Sequence, residues 1–196
     1  MLSTLSTLKA RLAIPDVDTQ YDDLLTTALT AISARFDREL NRTLARTVGA
    51  THEFAAWETE ISPVCYPIES VSKFELKTTE AEGWVEQTGV DYIIRRSCIV
   101  SLNLQLSTCN LQPCQARMTY TGGYVLPGDT PGAGQTPLPA DLEQAAIEQA
   151  ASWFLHRDDV GLELNWPKGG VYQRFSQLPL LPSVDAILRA YRRWAL

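Results

Sequence analysis

Apolar side chains recur every three or four residues near both ends of the chain, which is the spacing of an amphipathic helix. This pattern predicts about four helices, at residues 3–13, 19–45, 139–157 and 183–194. Pro139 suits the first position of the third predicted helix, because its missing N–H has no partner there in any case. We therefore expect a small helical bundle built from the two ends of the chain.

The second predicted helix is the longest and has the clearest two-sided pattern. Its apolar stripe consists of Tyr21, Leu25, Ala28, Leu29, Ile32, Phe36, Leu40 and Leu44. The opposite, polar face carries Arg35, Arg38 and Arg42. We expect most of the stripe to be core and the arginine face to be available to neighbouring molecules.

Between the helices the pattern changes to an alternation of apolar and polar residues, typical of strands with one buried face. Val100 and Leu102, for example, flank Ser101. The strand-like segments are residues 52–57, 71–77, 92–95, 98–106 and 116–124. Residues 51–125 are therefore predicted to form about five or six mostly antiparallel strands.

Two further stretches read as long loops or arms. Residues 126–138 are rich in proline and glycine, which excludes regular structure and leaves either a disordered connection or an arm ordered by a neighbour. Residues 158–182 are irregular but too apolar for a solvated linker. Their side chains, among them Trp166, Tyr172 and Phe175, should cover either this subunit or an adjacent one.

The predicted fold class is therefore α+β. Residues 1–196 form one domain, with a helical core of about four helices that carries an inserted, mostly antiparallel β region at 51–125.

The charge of the chain limits its partners. The formal net charge is -6 and the isoelectric point is near 4.9, which argues against a dedicated nucleic-acid binder because binding phosphates needs clustered lysine and arginine. An acidic surface past which DNA moves without sticking remains compatible with this charge. The sequence has neither a signal-peptide pattern nor an apolar run long enough for a bilayer, which predicts a soluble protein made in the cytoplasm.

The residues that usually carry chemistry form no recognisable set. The four cysteines, Cys65, Cys98, Cys109 and Cys114, match no zinc-binding spacing. Cys109 and Cys114 could bridge a short loop, or all four could remain cytosolic thiols. The two histidines, His52 and His156, lie in no catalytic motif, and no phosphate-binding or nucleophile motif is present. We therefore predict a protein without catalytic residues, metal or cofactor.

The best candidate for intermolecular contact is the C-terminal helix, which carries Arg189, Arg192, Arg193 and Trp194. Arginine and tryptophan are enriched at interface hot spots, and guanidinium groups pair with carboxylates of other subunits in a fixed geometry. Two alternatives stay open: a solvated basic face that complements the helix dipole, and a contact with DNA phosphates. The further interface candidates are Arg35, Arg38, Arg42, Trp166, Tyr172 and Phe175.

Several stretches, taken in their order along the chain, resemble a known family. They are LSTLKARLAIPDVDTQYDDLLTTALTAISARFDREL, YPIESVSKFEL, MTYTGGY, LPADLEQAAIEQAASWFLHRDD and VDAILRAYRRW. In this order they resemble the head–tail connector (head-completion adaptor) proteins of long-tailed bacteriophages and prophages, in the longer form with a β insertion. The proline- and glycine-rich 126–138 stretch and the longer, apolar 158–182 stretch depart from that family.

The resemblance implies a virion structural protein made in the bacterial host cytoplasm and located in the neck. It implies a ring homo-oligomer of about twelve copies beneath the portal protein, with the next neck or tail-completion protein on its other side. DNA would pass through the lumen without sequence-specific binding, and no membrane is involved. The C-terminal helix around Arg189, Arg192, Arg193 and Trp194 would dock on the portal or on an adjacent subunit. Alternatives are another neck or tail-completion protein, or a small non-viral protein-binding domain.

Overall fold

The structure, a computed structural model, describes residues 1–103, 114–157, 163–164, 173–174 and 179–193. The chain folds into two compact units. The helical unit is formed by Met1–Leu40 and Leu138–Arg192, and the β unit by Asn41–Pro137 and Arg193–Leu196. The β unit is thus inserted between the two halves of the helical unit, which confirms an α+β fold with a β insertion.

The helical unit contains four α-helices in the described residues. They are α1 (Leu5–Arg11), α2 (Asp22–Leu40), α3 (Ala140–Leu155) and α4 (Pro182–Tyr191). The apolar stripe of α2 is buried, and Leu25, Leu29, Ile32 and Phe36 are inaccessible to solvent. Burying a side chain of this size stabilises a fold by about 1.5–3 kcal/mol. The α2 stripe therefore dominates the core of the helical unit.

The small residues of α3 allow its backbone to approach α2 closely. Ala145, Ala146 and Ala150 are fully buried, and α3 packs against α1, α2 and α4. Gln149 is also buried, and its side chain donates to the Pro179 carbonyl (3.2 Å) and accepts from the Leu181 N–H (2.8 Å). The amide of Gln149 thus fixes the chain just before α4.

The helices are shorter than predicted at most of their ends. Helix α2 ends at Leu40 rather than at residue 45, because Asn41 adopts a left-handed backbone (φ 52°), which asparagine tolerates better than most residues. Helix α4 begins at Pro182, after the N-cap residue Leu181, rather than at residue 183, and it ends at Tyr191 rather than at residue 194. Proline at the first position needs no hydrogen-bond donor, which makes a side-chain cap less important there.

Seven strands form the β unit in its described residues. They are β1 (Thr47–Ala55), β2 (Glu60–Ile61), β3 (Ile68–Lys77), β4 (Val85–Gln87), β5 (Tyr92–Arg95), β6 (Ile99–Leu102) and β7 (Gln115–Gly122). They form one sheet in the order β1-β7-β3-β4 and a second in the order β2-β6-β5. Every pairing within these two sheets is antiparallel, as predicted.

The two sheets share one core. The alternation along β7 buries Ala116, Met118 and Tyr120, and the alternation along β6 buries Val100 and Leu102. The hydroxyl of Tyr120 accepts the backbone N–H of Cys65 (3.0 Å), so its polar end is satisfied inside the core. Burial raises the pKa of Tyr120 to about 12, and the phenol therefore stays protonated at neutral pH.

The two predicted loops differ in how much of each is described. Within 126–138 the backbone is irregular, as predicted, and the Val125 N–H donates to the Thr136 carbonyl (2.9 Å), which draws the two ends of the loop together. Within 158–182 the two-residue strands β8 (Glu163–Leu164) and β9 (Gln173–Arg174) pair antiparallel. Trp166, Tyr172 and Phe175, and the Cys109 of the possible Cys109–Cys114 bridge, lie outside the described residues.

Candidate interaction surfaces

The C-terminal helix presents two of its three candidate arginines to solvent. The side chain of Arg189 is 75% exposed and forms an ion pair with Asp185 one turn earlier (2.6 Å). Arg192 is also exposed, at the C-terminal end of α4. An exposed pair such as Arg189–Asp185 contributes little to stability, about 0.3–0.5 kcal/mol. The Arg189 guanidinium can therefore change partners at small cost.

A hydrogen bond holds the end of α4 against α3. The Tyr191 hydroxyl donates to the Asp141 carboxylate, with both carboxylate oxygens 2.8 Å away. Asp141 lies in the first turn of α3, where a negative charge is also favoured by the helix dipole. The position of the α4 arginine face within the helical unit is thus set by a charge-assisted contact.

Arg193 behaves differently from its two neighbours. It follows the helical unit in sequence, belongs to the β unit and donates to the Ser62 carbonyl. Its positive charge, together with burial, lowers the pKa of His52, and burial is the larger cause. Arg193 therefore has a contact inside its own chain, whereas Trp194 lies outside the described residues.

The three arginines predicted on one face of the second helix have three different environments. Arg35 is half-buried, 5.9 Å from the centre of the Trp153 ring, and is 3.9 Å from the Glu39 carboxylate. Arg38 is exposed to solvent. Arg42 is only 4% exposed, so its predicted place on the polar face is wrong. The reason is that α2 ends before Arg42, which therefore enters the β unit.

Inside the β unit Arg42 stacks on two aromatic rings. Its guanidinium carbon lies 3.3 Å from the centre of the Tyr66 ring and 5.2 Å from that of Tyr124, and it donates to the Tyr66 carbonyl. The two ring faces and the carbonyl oxygen offset part of the cost of burying this cation, whose Nε is buried without a hydrogen-bond partner among the described residues. Its role as an interface residue stays untested, and in the isolated chain its contacts are internal.

Sequence reasoning missed the buried Lys9. Its side chain is 3% exposed, and its ammonium group donates to the carbonyls of Asp16 (3.0 Å) and Asp18 (2.6 Å) and to the Asp22 carboxylate (2.8 Å). All three ammonium protons thus have acceptors, which is what makes burial of a lysine possible. Lys9 lies on the same helix as Leu5 and Leu8, and nothing in that spacing distinguishes it from an exposed lysine.

Sequence reasoning also missed a cluster on the face of the four-stranded sheet that points away from the core. Glu75 is buried and receives hydrogen bonds from Arg117 and Lys73, both at 2.9 Å. The Arg117 bond is the main reason why the pKa of Glu75 lies below its usual value. Arg117 also stacks on Trp84, with its guanidinium carbon 4.3 Å from the ring centre. The register pairs Glu75 directly with Arg117, so strand pairing creates this cluster.

The histidines occupy structural surroundings. His52 points toward the core side of β1, and His156 lies at the C-cap of α3 with its Nδ1 2.8 Å from the Ser152 carbonyl. In the described residues no three His, Cys, Asp or Glu side chains are grouped so that they could hold a metal ion. Of the helices described, none combines the length and the apolar character needed to cross a bilayer.

Comparison with known proteins gives a structural likeness only. No protein-family model matches this chain, and no curated protein matches it. A chain in the neck of an empty GTA particle, computed with C6 symmetry, has 15% sequence identity and a TM-score of 0.55, with 97% of this chain and 89% of that chain covered. A chain in the virion of a native gene transfer agent (GTA) particle has 16% identity and a TM-score of 0.56, with the same coverage.

A third similar structure is the neck of a native GTA particle computed with C12 symmetry. It has 17% identity and a TM-score of 0.50, and it covers 98% of this chain and 89% of the other. At these identities the likeness establishes a shared fold, and it extends over nearly the whole chain.

Proposed function

We propose that this chain is a structural subunit of the neck of a tailed-phage-like particle, and specifically a head–tail connector. In this role about a dozen copies form a ring under the portal protein. The ring extends the DNA channel and offers a platform to the next neck or tail-completion protein. The protein acts through its shape and catalyses no reaction.

One observation carries the proposal: the likeness to chains of GTA neck and virion structures spans almost the full length of both partners. A fold can host many functions, so this likeness supports the role by analogy. It is joined by an independent resemblance of five sequence stretches to head–tail connectors, at residues 5–40, 66–76, 118–124, 138–159 and 184–194. Both lines of support favour the same kind of assembly.

The surface chemistry supports an assembly that relies on arginine contacts. Arg189 and Arg192 are exposed on a helix end held by the Tyr191–Asp141 bond. A helix whose position is already fixed needs no backbone ordering when its guanidinium groups pair with carboxylates of another chain, so only the side chains lose conformational freedom. We propose that this face docks on the portal protein or on an adjacent subunit.

The net charge of -6 supports a lumen through which DNA moves. Carboxylates on a channel wall repel the phosphate backbone and limit sticking, while sequence-specific binding would need a basic surface. We propose no DNA-binding site on this chain.

The test is the assembly state of the full-length chain, alone and with a portal protein of its own particle. Native mass spectrometry and negative-stain electron microscopy should show a closed ring of about a dozen copies, or a subunit that forms a ring only on the portal. A chain that remains monomeric under both conditions, and is absent from purified particles, would refute the proposal.

A paired variant tests the arginine face. Replacing Arg189 and Arg192 by Ala should leave the subunit folded and weaken ring formation or portal docking at least about tenfold. Arg11→Ala is the matched control, because Arg11 is also exposed near a helix C-terminus but lies on α1. Equal assembly of the double variant and the control would remove the α4 face from the proposal.

A second candidate is another neck or tail-completion protein. It is favoured by the descriptions of the similar structures, which name the neck or the virion without naming the component. Labelling the chain in intact particles decides between the two, because a connector would lie directly against the portal. A screen for hydrolase, nuclease and phosphatase activity, with and without divalent metal, tests the proposal that the chain is not an enzyme.

A further inference from the structure

The two sheets of the β unit each have one short edge and one long edge. In the four-stranded sheet the edges are β4, with three residues, and β1, with nine. In the three-stranded sheet they are β2, with two residues, and β5, with four. Within the described ranges, β1 pairs only with β7 and β5 pairs only with β6. In the part of the chain that the structure describes, each sheet therefore has one longer edge strand that pairs with another strand on one side only. At the end of β1 the Ala55 N–H donates to the Glu58 carboxylate (3.3 Å).

The long edge strand β1 lacks most of the features that normally prevent edge-to-edge association. Such features are short length, lysine, proline, bulges or a covering segment. The sequence of β1, TVGATHEFA, has neither lysine nor proline, and its one bulge lies at its start near Gly49. Val48 is 70% exposed. The opposite edge, β4, is protected by its length of three residues, whereas each of the two edges carries one exposed glutamate, Glu86 on β4 and Glu53 on β1.

The edge strand β5 has a similar exposed character but carries the opposite charge. Ile93 is 58% exposed, and Arg95 is 59% exposed at the end of the strand. Arg96 follows in the turn to β6 and is also exposed. Within the described residues Arg95 forms an ion pair with Glu60, itself 52% exposed, and a pair this open to water contributes little. The side of the β unit that carries β5 thus combines an exposed apolar residue with two exposed arginines, and one acidic residue, Asp91, is exposed just before the strand.

The open edges of β1 and β5 lie on opposite sides of the β unit. Strand β5 packs over β3, since the Tyr92 and Phe74 rings are 5.7 Å apart and the Tyr92 hydroxyl donates to the Val71 carbonyl (3.3 Å). Strand β2 follows β1 along the chain. Arg193 is close to both strands, since it donates to the Ser62 carbonyl next to β2 and its charge lowers the pKa of His52 on β1. Two complementary surfaces on opposite sides of one subunit are what a closed ring needs.

We infer that β1 of one copy pairs with β5 of the next copy, so that a continuous inter-subunit sheet runs around the ring. The inference rests on the proposed ring assembly and names the contact that closes it. Backbone hydrogen bonds between the edges supply affinity, as in other cases of strand addition. Charge selects this pairing over β1 with β1, because Glu53 and Glu58 are exposed on the β1 side and Arg95 and Arg96 on the β5 side.

Hydrogen exchange tests the backbone pairing directly. In assembled rings of the full-length chain, amides in Thr47–Ala55 and Tyr92–Arg95 should exchange at least about tenfold more slowly than in free subunits. Amides in Val85–Gln87, the protected edge, serve as the internal control and should not change. Rings that form without added protection at β1 and β5 would overturn this inference and leave the connector proposal intact.

Charge reversal tests the partner. Glu53→Arg alone places two positive groups at the contact, and Arg96→Glu alone places two negative groups there, so each variant should lose most of its rings. Mixed in equal amounts, the two variants should recover rings of alternating copies, because every contact then joins opposite charges. Glu80→Arg is the control for charge alone, since Glu80 is 91% exposed in the β3–β4 loop.

The outcomes separate the two proposals. Recovery of rings in the mixture, with an even number of copies by native mass spectrometry, supports the β1–β5 contact. Full assembly of each single variant, or loss without recovery in the mixture while both subunits stay folded by circular dichroism, would overturn it. Absence of any ring for the unmodified chain, alone and on the portal, would remove the connector proposal and this inference with it.

Discussion

The buried ammonium group of Lys9 gives the sharpest prediction about stability. We consider Lys9→Met, which keeps the length and apolar stem of the side chain and removes its charge and three donors. In the native chain these donors hold the Asp16 and Asp18 carbonyls and the Asp22 carboxylate at 2.6–3.0 Å. The substitution should therefore release the loop between α1 and α2 without leaving a cavity.

The magnitude follows from the number of bonds and from the exposure of their acceptors. Hydrogen bonds to a charged group contribute about 1.5–3 kcal/mol each. The loss is partly offset, because the buried ammonium no longer has to be desolvated and because Asp22, with 27% of its side chain exposed, can bind water instead. We expect a net loss of about 2–3 kcal/mol in the free energy of unfolding.

Urea denaturation followed by far-ultraviolet circular dichroism measures this loss. The loop between α1 and α2 belongs to the helical unit, and the helices of that unit dominate the signal. With an m value of about 2.5 kcal/mol/M, the unfolding midpoint should fall by about 1 M. Arg11→Met is the control: it makes the same change of charge on the same helix, at an exposed residue. Its expected effect is below about 1 kcal/mol, the usual size of a helix-dipole contribution.

Equal midpoints for Lys9→Met and Arg11→Met, within about 0.2 M, would refute the reasoning. They would mean that the three contacts merely replace hydration and do not stabilise the loop. Hydrogen exchange adds a local readout. Amides of residues 14–21 should exchange faster in Lys9→Met than in the native chain, and their exchange rates should be unchanged in the control.

Three further predictions concern other parts of the chain. The pKa of Glu75 is lowered, so its ion pairs stabilise the fold fully above the ordinary glutamate pKa of 4.5 and lose that effect as the pH falls through the lowered folded-state pKa. In urea denaturation, the difference in stability between the native chain and Glu75→Gln should therefore be largest at neutral pH and should shrink as the pH falls below 4.5. Arg193→Ala should lower the free energy of unfolding by about 1–2 kcal/mol, while Arg189→Ala should change it by less than about 0.5 kcal/mol. Limited proteolysis should cut residues 126–138 and 158–182 in the free subunit and spare them in assembled particles.

Each of these has a distinct contradicting result. If Glu75→Gln and the native chain have the same free energy of unfolding at every pH, the ion pairs of Glu75 contribute nothing to stability. Arg193→Ala and Arg189→Ala chains of equal stability would mean that the Ser62 contact contributes nothing. Cleavage at the same rate in free subunits and particles would show that the two stretches are not arms ordered on assembly.

Local periodicity predicted the helices and most of the strands correctly. The spacing of Leu25, Leu29, Ile32 and Phe36 matched the buried stripe of α2, because a helix turns every 3.6 residues and its core contacts must repeat accordingly. The alternation along β6 likewise matched its buried face. Helix ends were less accurate, since Asn41 stops α2 through its own backbone conformation, which no apolar pattern reports.

The positions of the candidate interface arginines were predictable only in part, because an apolar pattern does not report contacts with distant residues. Arg189 lies where the helical period placed it, on an exposed face of α4, whereas Arg192 is exposed but follows the last residue of the helix with an extended backbone. Arg42 was placed wrongly because its burial depends on Tyr66 and Tyr124, which reach it only when the β unit folds.

The sequence by itself determined the four helices and the longer strands, and that no known catalytic motif is present, because these properties depend on neighbouring residues, whereas the short strands β2 and β4 were missed. The tertiary structure alone decided that Lys9 and Arg42 are buried and that β1 and β5 are open edges. The physical reason is that burying a charge requires acceptors or ring faces from distant residues, and a strand is an edge only with respect to the order in which other strands pair.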